Sequence, residues 1–309
     1  MTLQQLRYVA EIAVTGSLSR AAERMYVAQP SLSASIRELE NEIGVKLFNR
    51  GNRGVSLTNE GSAFLPYALS VLEQVGRLED AYGGSARKPK FGVSTQHYSF
   101  AVKAFVEMVR AFDVSQYEFA LRETRTRDVI DDVAALRSEI GILYLSEFNR
   151  KAILKLLGSR DLSFSCLITC NAFVYLWKGH PLAHKESISF DELKPYPNLS
   201  FEQGEAGSFY YAEEILSTNE YPRTIKCNDR ATMLNLMVGV NGYTLCSGII
   251  CEELNGSDYI AVPYLADPDN RNSLMEIGYI FRKNHLFIEA ALRYNEELKR
   301  YLKNGRAHV

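Results

Sequence analysis

Cysteine is scarce and odd in number: Cys166, Cys170, Cys227, Cys246 and Cys251 are all that 309 residues contain. An odd, widely spaced set argues against a disulfide framework. Cys166 and Cys170 lie four apart around strand-like Leu167-Ile168, so alternation predicts both sulfurs on one face, as buried structural thiols rather than sensors or metal ligands. Histidine is equally thin. His180 and His184 bracket Pro181, which disfavours the helix that would align them as ligands, so they are read as a loop. No signal peptide or apolar run of membrane length is seen, which predicts a soluble, cytoplasmic protein without a membrane partner. Nor is there a charge excess: a net charge of −2 excludes a protein that coats nucleic acid by bulk charge. G-x-S-x-G, G-x-G-x-x-G after a strand and H-E-x-x-H are all missing, so no enzyme, cofactor or metal is expected.

The residues present are most informative between Ala28 and Glu40. Pro30 suits a first helical turn, and Leu32, Ile36, Leu39 and Ile43 recur at helical spacing as one buried seam. Counting about 100° per residue, Pro30, Ser33, Ala34 and Arg37 point outward, flanked by Ser31 and Glu38. Such a face of hydroxyls, a methyl and one cation suits a major groove. Upstream, Leu3, Leu6, Val9 and Ile12 form the apolar face of a first helix. Small Ala21 and Ala22 let a second helix cross closely, with Val27-Ala28 as the connection. Downstream, Asn49–Gly54 has hairpin-tip chemistry and carries Arg50 and Arg53. Residues 1–60 hold seven basic against six acidic side chains, so any affinity for DNA must come from placing cations rather than accumulating them.

Several of these runs, in order, resemble the winged helix-turn-helix of LysR-type transcriptional regulators. They are Thr2–Leu6, Gly16–Arg24, the Gln29-Pro30 helix, Gly44–Phe48 and Leu57–Gly61. The resemblance implies sequence-specific binding to double-stranded DNA through Gln29, Pro30, Ser31, Ser33, Ala34 and Arg37, with Arg50 and Arg53 on the wing. Ala34 stands where that family often has a long polar side chain, so direct readout rests on its neighbours and on DNA shape.

Thr58 to Tyr82 is predicted to be one long helix, capped by Thr58 and interrupted by Pro66. Phe64, Ala68, Val71, Val75, Leu78 and Tyr82 make a heptad seam whose simplest partner is a second copy of itself. Gly83-Gly84-Ser85 is expected to end the helix, and Ala86-Arg87-Lys88-Pro89 reads as a short hinge-like linker. From Lys90 the pattern turns to βαβ grammar and a mostly parallel sheet, with strands at Phe91–Val93, Phe119–Leu121, Ile140–Leu145, Phe173–Trp177 and Glu276–Phe281. Further elements are read around Ile215-Leu216 and Met233–Met237, and a helix over Leu286–Leu302 closes the chain. The division is therefore residues 1–58 for the winged helix-turn-helix, 59–88 for the linker helix and hinge, and 89–309 for an effector-binding domain. By the same resemblance that domain is two-lobed and like a periplasmic binding protein, lobe one being 89–162 plus 267–309 and lobe two 163–266.

Open α/β sheets bind ligands beyond the carboxyl ends of their strands. The corners there supply Ser94, Thr95, Gln96, His97, Ser99, Thr126 and Ser146, and in the second lobe Glu202, Gln203, Ser208 and Arg230. Ser200–Ser208 is expected to lead into a helix, as is Cys227–Arg230. An amino-acid-like effector could use hydroxyls for its carboxylate and Glu202 or Glu205 for its ammonium; an oxyanion could use Arg125, Arg127 or Arg230. Three runs, Leu199–Gly204, Cys227–Thr232 and Leu236–Tyr243, resemble regulators tied to sulfur amino-acid supply. The family likeness further implies a tetramer of paired dimers, an interrupted palindromic operator and contact with RNA polymerase. A stand-alone receptor or an architectural DNA-binding protein are the alternatives, but each leaves half the chain unused.

Overall fold

The computed structural model describes residues 1–51, 54–82, 88–112, 116–204, 209–266, 273–283 and 286–305. They fall into two compact units, Met1–Lys88 and Pro89–Val309. No described helix is long and apolar enough to cross a membrane.

The first unit opens with α1 (Leu3–Thr15), where the Thr2 side chain accepts from the Gln5 amide and the Gln5 side chain accepts from the Thr2 amide. Gly16 ends it in the left-handed conformation. Ser17 caps α2 (Leu18–Arg24), whose Ala21 and Ala22 are buried in the crossing. In α3 (Gln29–Ile43) Pro30 sits in the first turn and Gly44 closes the helix at positive φ. Val9, Ile12, Leu32, Ile36, Leu39 and Leu47 are fully buried between these helices, each worth roughly 1.5–3 kcal/mol. Leu3, expected in that face, is exposed.

The wing pairs β1 (Phe48–Gly51) antiparallel with β2 (Gly54–Leu57). Val55 N–H donates to the Gly16 carbonyl at 2.9 Å, and a Cβ on Gly54 would sit 2.9 Å from that same oxygen. Glycine at 54 thus lets the wing press on the corner between α1 and α2. Thr58 then caps α4 (Asn59–Tyr82), accepting from Gly61 N–H at 2.8 Å and donating to the Lys46 carbonyl at 2.6 Å. The helix runs on through Pro66.

The second unit begins β3 (Lys90–Thr95), α5 (Ser99–Arg110), β4 (Glu118–Glu123), α6 (Thr126–Ala134), β5 (Ile140–Leu145), α7 (Arg150–Ser159) and β6 (Leu162–Asn171). It continues β7 (Phe173–Trp177), α8 (Phe190–Leu193), β8 (Asn198–Phe201), β9 (Thr224–Cys227), α9 (Arg230–Gly239) and β10 (Thr244–Cys246). The chain finishes α10 (Glu252–Asn255), β11 (Tyr259–Pro263), β12 (Leu274–Arg282) and α11 (Glu289–Gly305). One lobe holds the five-stranded sheet β4-β3-β5-β12-β6. The other holds β10-β7-β11 and the pair β8-β9, joined by a bridge between Asn198 and Tyr243.

Four expectations change. The first sheet is mixed rather than mostly parallel, because β12 returns antiparallel between β5 and β6. Since β6 is wholly in that sheet, the chain leaves lobe one at Ala172, not at residue 163. Cys166 and Cys170 do not share a face. The β6–β12 register skips Leu167, and this bulge turns Cys166 outward while Cys170 stays buried. Ile215-Leu216 belong to a turn rather than a helix or strand, with Leu216 at φ 61. His180 and His184 do lie in turns; His180 is buried, accepts from Leu182 N–H on Nδ1 and meets the Asn241 carbonyl through Nε2. Burial holds its pKa below the ordinary value.

Candidate functional site

On the first unit, Gln29, Pro30, Ser31, Ala34 and Arg37 are exposed along one side of α3. Ser33 is not: it is buried, contrary to the outward reading. The buried face is wider than its aliphatic seam, because Ser33, Ile36 and Glu40 fall within about 60° of one another. Arg37 Nε donates to the Ser33 carbonyl at 3.3 Å, laying the guanidinium along its own helix.

Glu40 explains the extra width. Its buried carboxylate accepts from Leu47 N–H at 2.8 Å, Phe48 N–H at 3.2 Å and Lys46 Nζ at 3.1 Å. The recognition-like helix therefore carries the anchor for the wing's first strand. Arg50 lies in β1 but its side chain, like Arg53 altogether, is outside the described residues. Tyr26 was not singled out from sequence; it occupies the turn between α2 and α3 at φ 53 and is 96 % exposed.

In the second unit, the carboxyl ends of β3, β4 and β5 open on one edge, and the corner after β3 faces the second lobe. Gln96 is pinned there: its Nε2 donates to Thr126 Oγ1 at 2.5 Å, and its Oε1 accepts from Tyr144 N–H and Tyr98 OH. His97 stacks on Phe201 with ring centroids 3.7 Å apart. Its backbone N–H and Nδ1 both meet Glu213 Oε2, at 3.0 and 2.8 Å. Gln203 links the lobes by donating to Glu213 Oε1 and accepting from Thr126 N–H, while Thr126 Oγ1 donates to the Tyr211 carbonyl. Gly204, at φ +81, leaves room for Arg125, whose Nη1 would lie 2.9 Å from a Cβ there.

Behind this latch is a largely apolar cavity of about 80 Å3, with His97, Phe201, Glu214, Arg230, Met233 and Ile249 in its wall. Asp229 caps α9, and Arg230 on its first turn bonds Glu123 and Asn255 through its Nη atoms while its buried Nε has no partner among the described residues. Burial lowers the Arg230 pKa to about 10, still charged at neutral pH. Glu214 accepts from Phe201 N–H at 2.7 Å, and burial, then the charge of Glu213, push its pKa up to about 8.

The expected corner residues separate accordingly. Gln96, His97, Thr126 and Gln203 converge, and Ser99 and Arg230 reach the cavity, Ser99 accepting from Cys251 N–H at 3.1 Å. Ser94 points away from the cleft, donating to Asp132 at 2.6 Å and meeting Ser138. Thr95 Oγ1 donates to the Gln96 carbonyl, and Ser146 accepts from Asn149 ahead of α7. Glu202 is exposed, and Glu205 and Ser208 are outside the described residues. No long helix follows that loop, only a short turn at Phe209–Tyr211. Glu213 and Glu214 were missed, since an adjacent acidic pair reads as a solvated face.

Residues 3–62 match the model of the bacterial regulatory helix-turn-helix protein, lysR family. HcaR, the Hca operon transcriptional activator of Escherichia coli (strain K12), is 28 % identical over 80 % of this chain and 82 % of its own length. Residues 3–62 are thus a lysR-family helix-turn-helix. TcbR of Pseudomonas sp. (strain P51), an HTH-type transcriptional regulator, is 34 % identical, over 36 % of this chain and 38 % of TcbR. These relatives are regulators, not enzymes. The fold agrees along the whole chain. A full-length OxyR variant from Pseudomonas aeruginosa superposes with a TM-score of 0.62 at 21 % identity, covering 98 % of this chain and 95 % of that one. Full-length CbnR in complex with its target DNA gives 0.54 at 19 % identity, covering 97 % and 100 %.

Beyond that helix-turn-helix, α4 divides its seam. Phe64 packs on the core of its own unit and Ala68 is buried, so neither is free for a partner. Beyond them Val71 is 43 % and Leu78 62 % exposed, Val75 is half-buried, and the Tyr82 side chain is outside the described residues. Burial pushes the Cys170 and Cys246 thiols up to about 12 and Cys227 to about 11, so these three hold no reactive thiolate at neutral pH.

Proposed function

We propose that this chain is an effector-controlled, sequence-specific DNA-binding transcription factor. The observation that carries this is the exposed side of α3, with Gln29, Pro30, Ser31, Ala34 and Arg37 beside a wing anchored through Glu40. The N-terminal turn of α3 enters the major groove and reads base edges, while Arg50 and Arg53 meet phosphate or the adjacent minor groove. Val71, Val75, Leu78 and Tyr82 of two copies pair the α4 helices, and pairs of dimers form a tetramer. Twofold symmetry then requires an interrupted palindrome. Such a factor works in the cytoplasm alongside RNA polymerase.

The effector binds between the lobes of the second unit. Its cavity favours an amino-acid-like molecule with an apolar side chain over an inorganic oxyanion. The unpartnered Arg230 Nε offers a donor to a carboxylate, Glu214 sits where an ammonium would restore its charge, and Met233 and Ile249 cover an apolar body. Sulfur amino acids and their precursors are the first set to try. A thermal-shift screen of amino acids, precursors and oxyanions on the full chain tests this, since a ligand at 100 times its Kd adds about 2.7 kcal/mol. A hit must lose its shift in Arg230→Gln and must change affinity for DNA. A hit that survives Arg230→Gln places the effector elsewhere.

A further inference from the structure

Tyr26 combines two features that seldom coincide. Its backbone is left-handed at φ 53, a conformation that suits glycine or asparagine and strains a bulky side chain. Its side chain is 96 % exposed, and among the described residues neither ring nor hydroxyl has a partner. The ring therefore repays nothing to the fold for the strain it sits on. Strain retained without a packing reason points to use by a ligand. The place narrows the ligand. Tyr26 is in the turn between α2 and α3, with Val27 and Ala28 leading directly to Gln29 and Pro30 at the N-terminal end of the helix we assign to the major groove. The turn just ahead of that end borders the groove, within reach of its flanking phosphates, and tyrosine hydroxyls are among the groups that donate to phosphate oxygens.

We infer that Tyr26 is a DNA-backbone contact, its hydroxyl donating to a phosphate oxygen and its ring covering the neighbouring sugar. This rests on the DNA-binding reading above. A phenol is neutral and releases no counterion, so it adds affinity without adding to the salt dependence, unlike an arginine. It also orients the duplex without reading sequence.

The test uses the full chain, a duplex enriched by that chain from a random-sequence pool, and a mixed-sequence duplex of equal length. Tyr26→Phe should weaken binding to both about three- to tenfold, the worth of one hydrogen bond, leaving their ratio and the salt slope unchanged. Tyr26→Asn should weaken both at least as much while raising the melting temperature of the free protein, because it relieves the left-handed strain. Arg37→Ala serves as the reference. Affinity unchanged in both Tyr26 variants, while Arg37→Ala binds less tightly, overturns the Tyr26 assignment alone. Weaker binding by Tyr26→Asn with a lower melting temperature also overturns it, by making the tyrosine structural. Failure of the unsubstituted chain to bind any duplex overturns the DNA-binding reading itself.

Discussion

Removing the Glu40 carboxylate should loosen the wing without touching the second unit. Its Oε1 accepts from Leu47 and Phe48 N–H groups inside the first unit's core, and its Oε2 meets Lys46. Lys46 is two-thirds exposed, so that pair is screened and contributes at most about 1 kcal/mol. The two backbone bonds matter more, because leaving a buried N–H unsatisfied costs about 1–3 kcal/mol each. Glu40→Ala is therefore expected to cost about 3–5 kcal/mol. Glu40→Gln keeps an acceptor but loses its charge, and should cost about 1–2 kcal/mol. Trp177, the single tryptophan, lies in β7 of the second unit. Urea unfolding followed by tryptophan fluorescence therefore reports that unit, while far-UV circular dichroism reports both. Glu40→Ala should draw out an early transition by circular dichroism and leave the fluorescence transition in place. A fluorescence midpoint that falls by as much, or a change below about 0.5 kcal/mol by dichroism, would mean that Glu40 does not anchor the wing.

Three further outcomes are expected. Arg37→Ala should weaken binding to specific and mixed-sequence duplexes and lower the salt slope by about one, read from titrations at several salt concentrations; an unchanged slope would mean the guanidinium meets no phosphate. Val71→Asp with Leu78→Asp should shift sedimentation from an oligomer to a monomer, since charges would be buried in the α4 pairing; an unchanged oligomer would place the contact elsewhere. Glu214 is raised in the folded state from 4.5 to about 8, so its contribution to stability is full below 4.5 and is lost as pH rises towards 8, by at most about 1.4 kcal/mol per unit. Glu214→Gln should flatten that fall in urea midpoints between pH 5 and 8 on the order of one proton's worth. An equally steep fall in the variant would assign the proton to another group. His180, whose lowered pKa acts in the opposite direction as pH falls through its range, is the internal contrast.

Elements whose signal is local were legible in the sequence. The repeat of Leu32, Ile36 and Leu39 marked α3, a continuous apolar run marked β7, and the polar run Cys227–Arg230 marked the start of α9. Features set by distant partners were not. Ser33 is buried because Glu40, seven residues on, turns the same face toward the wing. Ser94 is withdrawn from the cleft by Asp132, across α6. The bulge that separates Cys166 from Cys170 exists only in the pairing with β12. Glu213 and Glu214 become site residues through His97, Phe201 and Gln203, none of them near enough in sequence to announce the contact.

As proposed above, the α3 faces of two copies read duplex DNA as a symmetric pair. Enrichment of a random-sequence duplex pool by the full chain, followed by hydroxyl-radical footprinting of the enriched sequence, tests it most directly. The expected result is an inverted repeat, protected over two half-sites on one face of the helix whose centres are one or more helical turns, about 10 base pairs each, apart. Enrichment of a sequence without dyad symmetry, or protection that Arg37→Ala leaves intact, would contradict it.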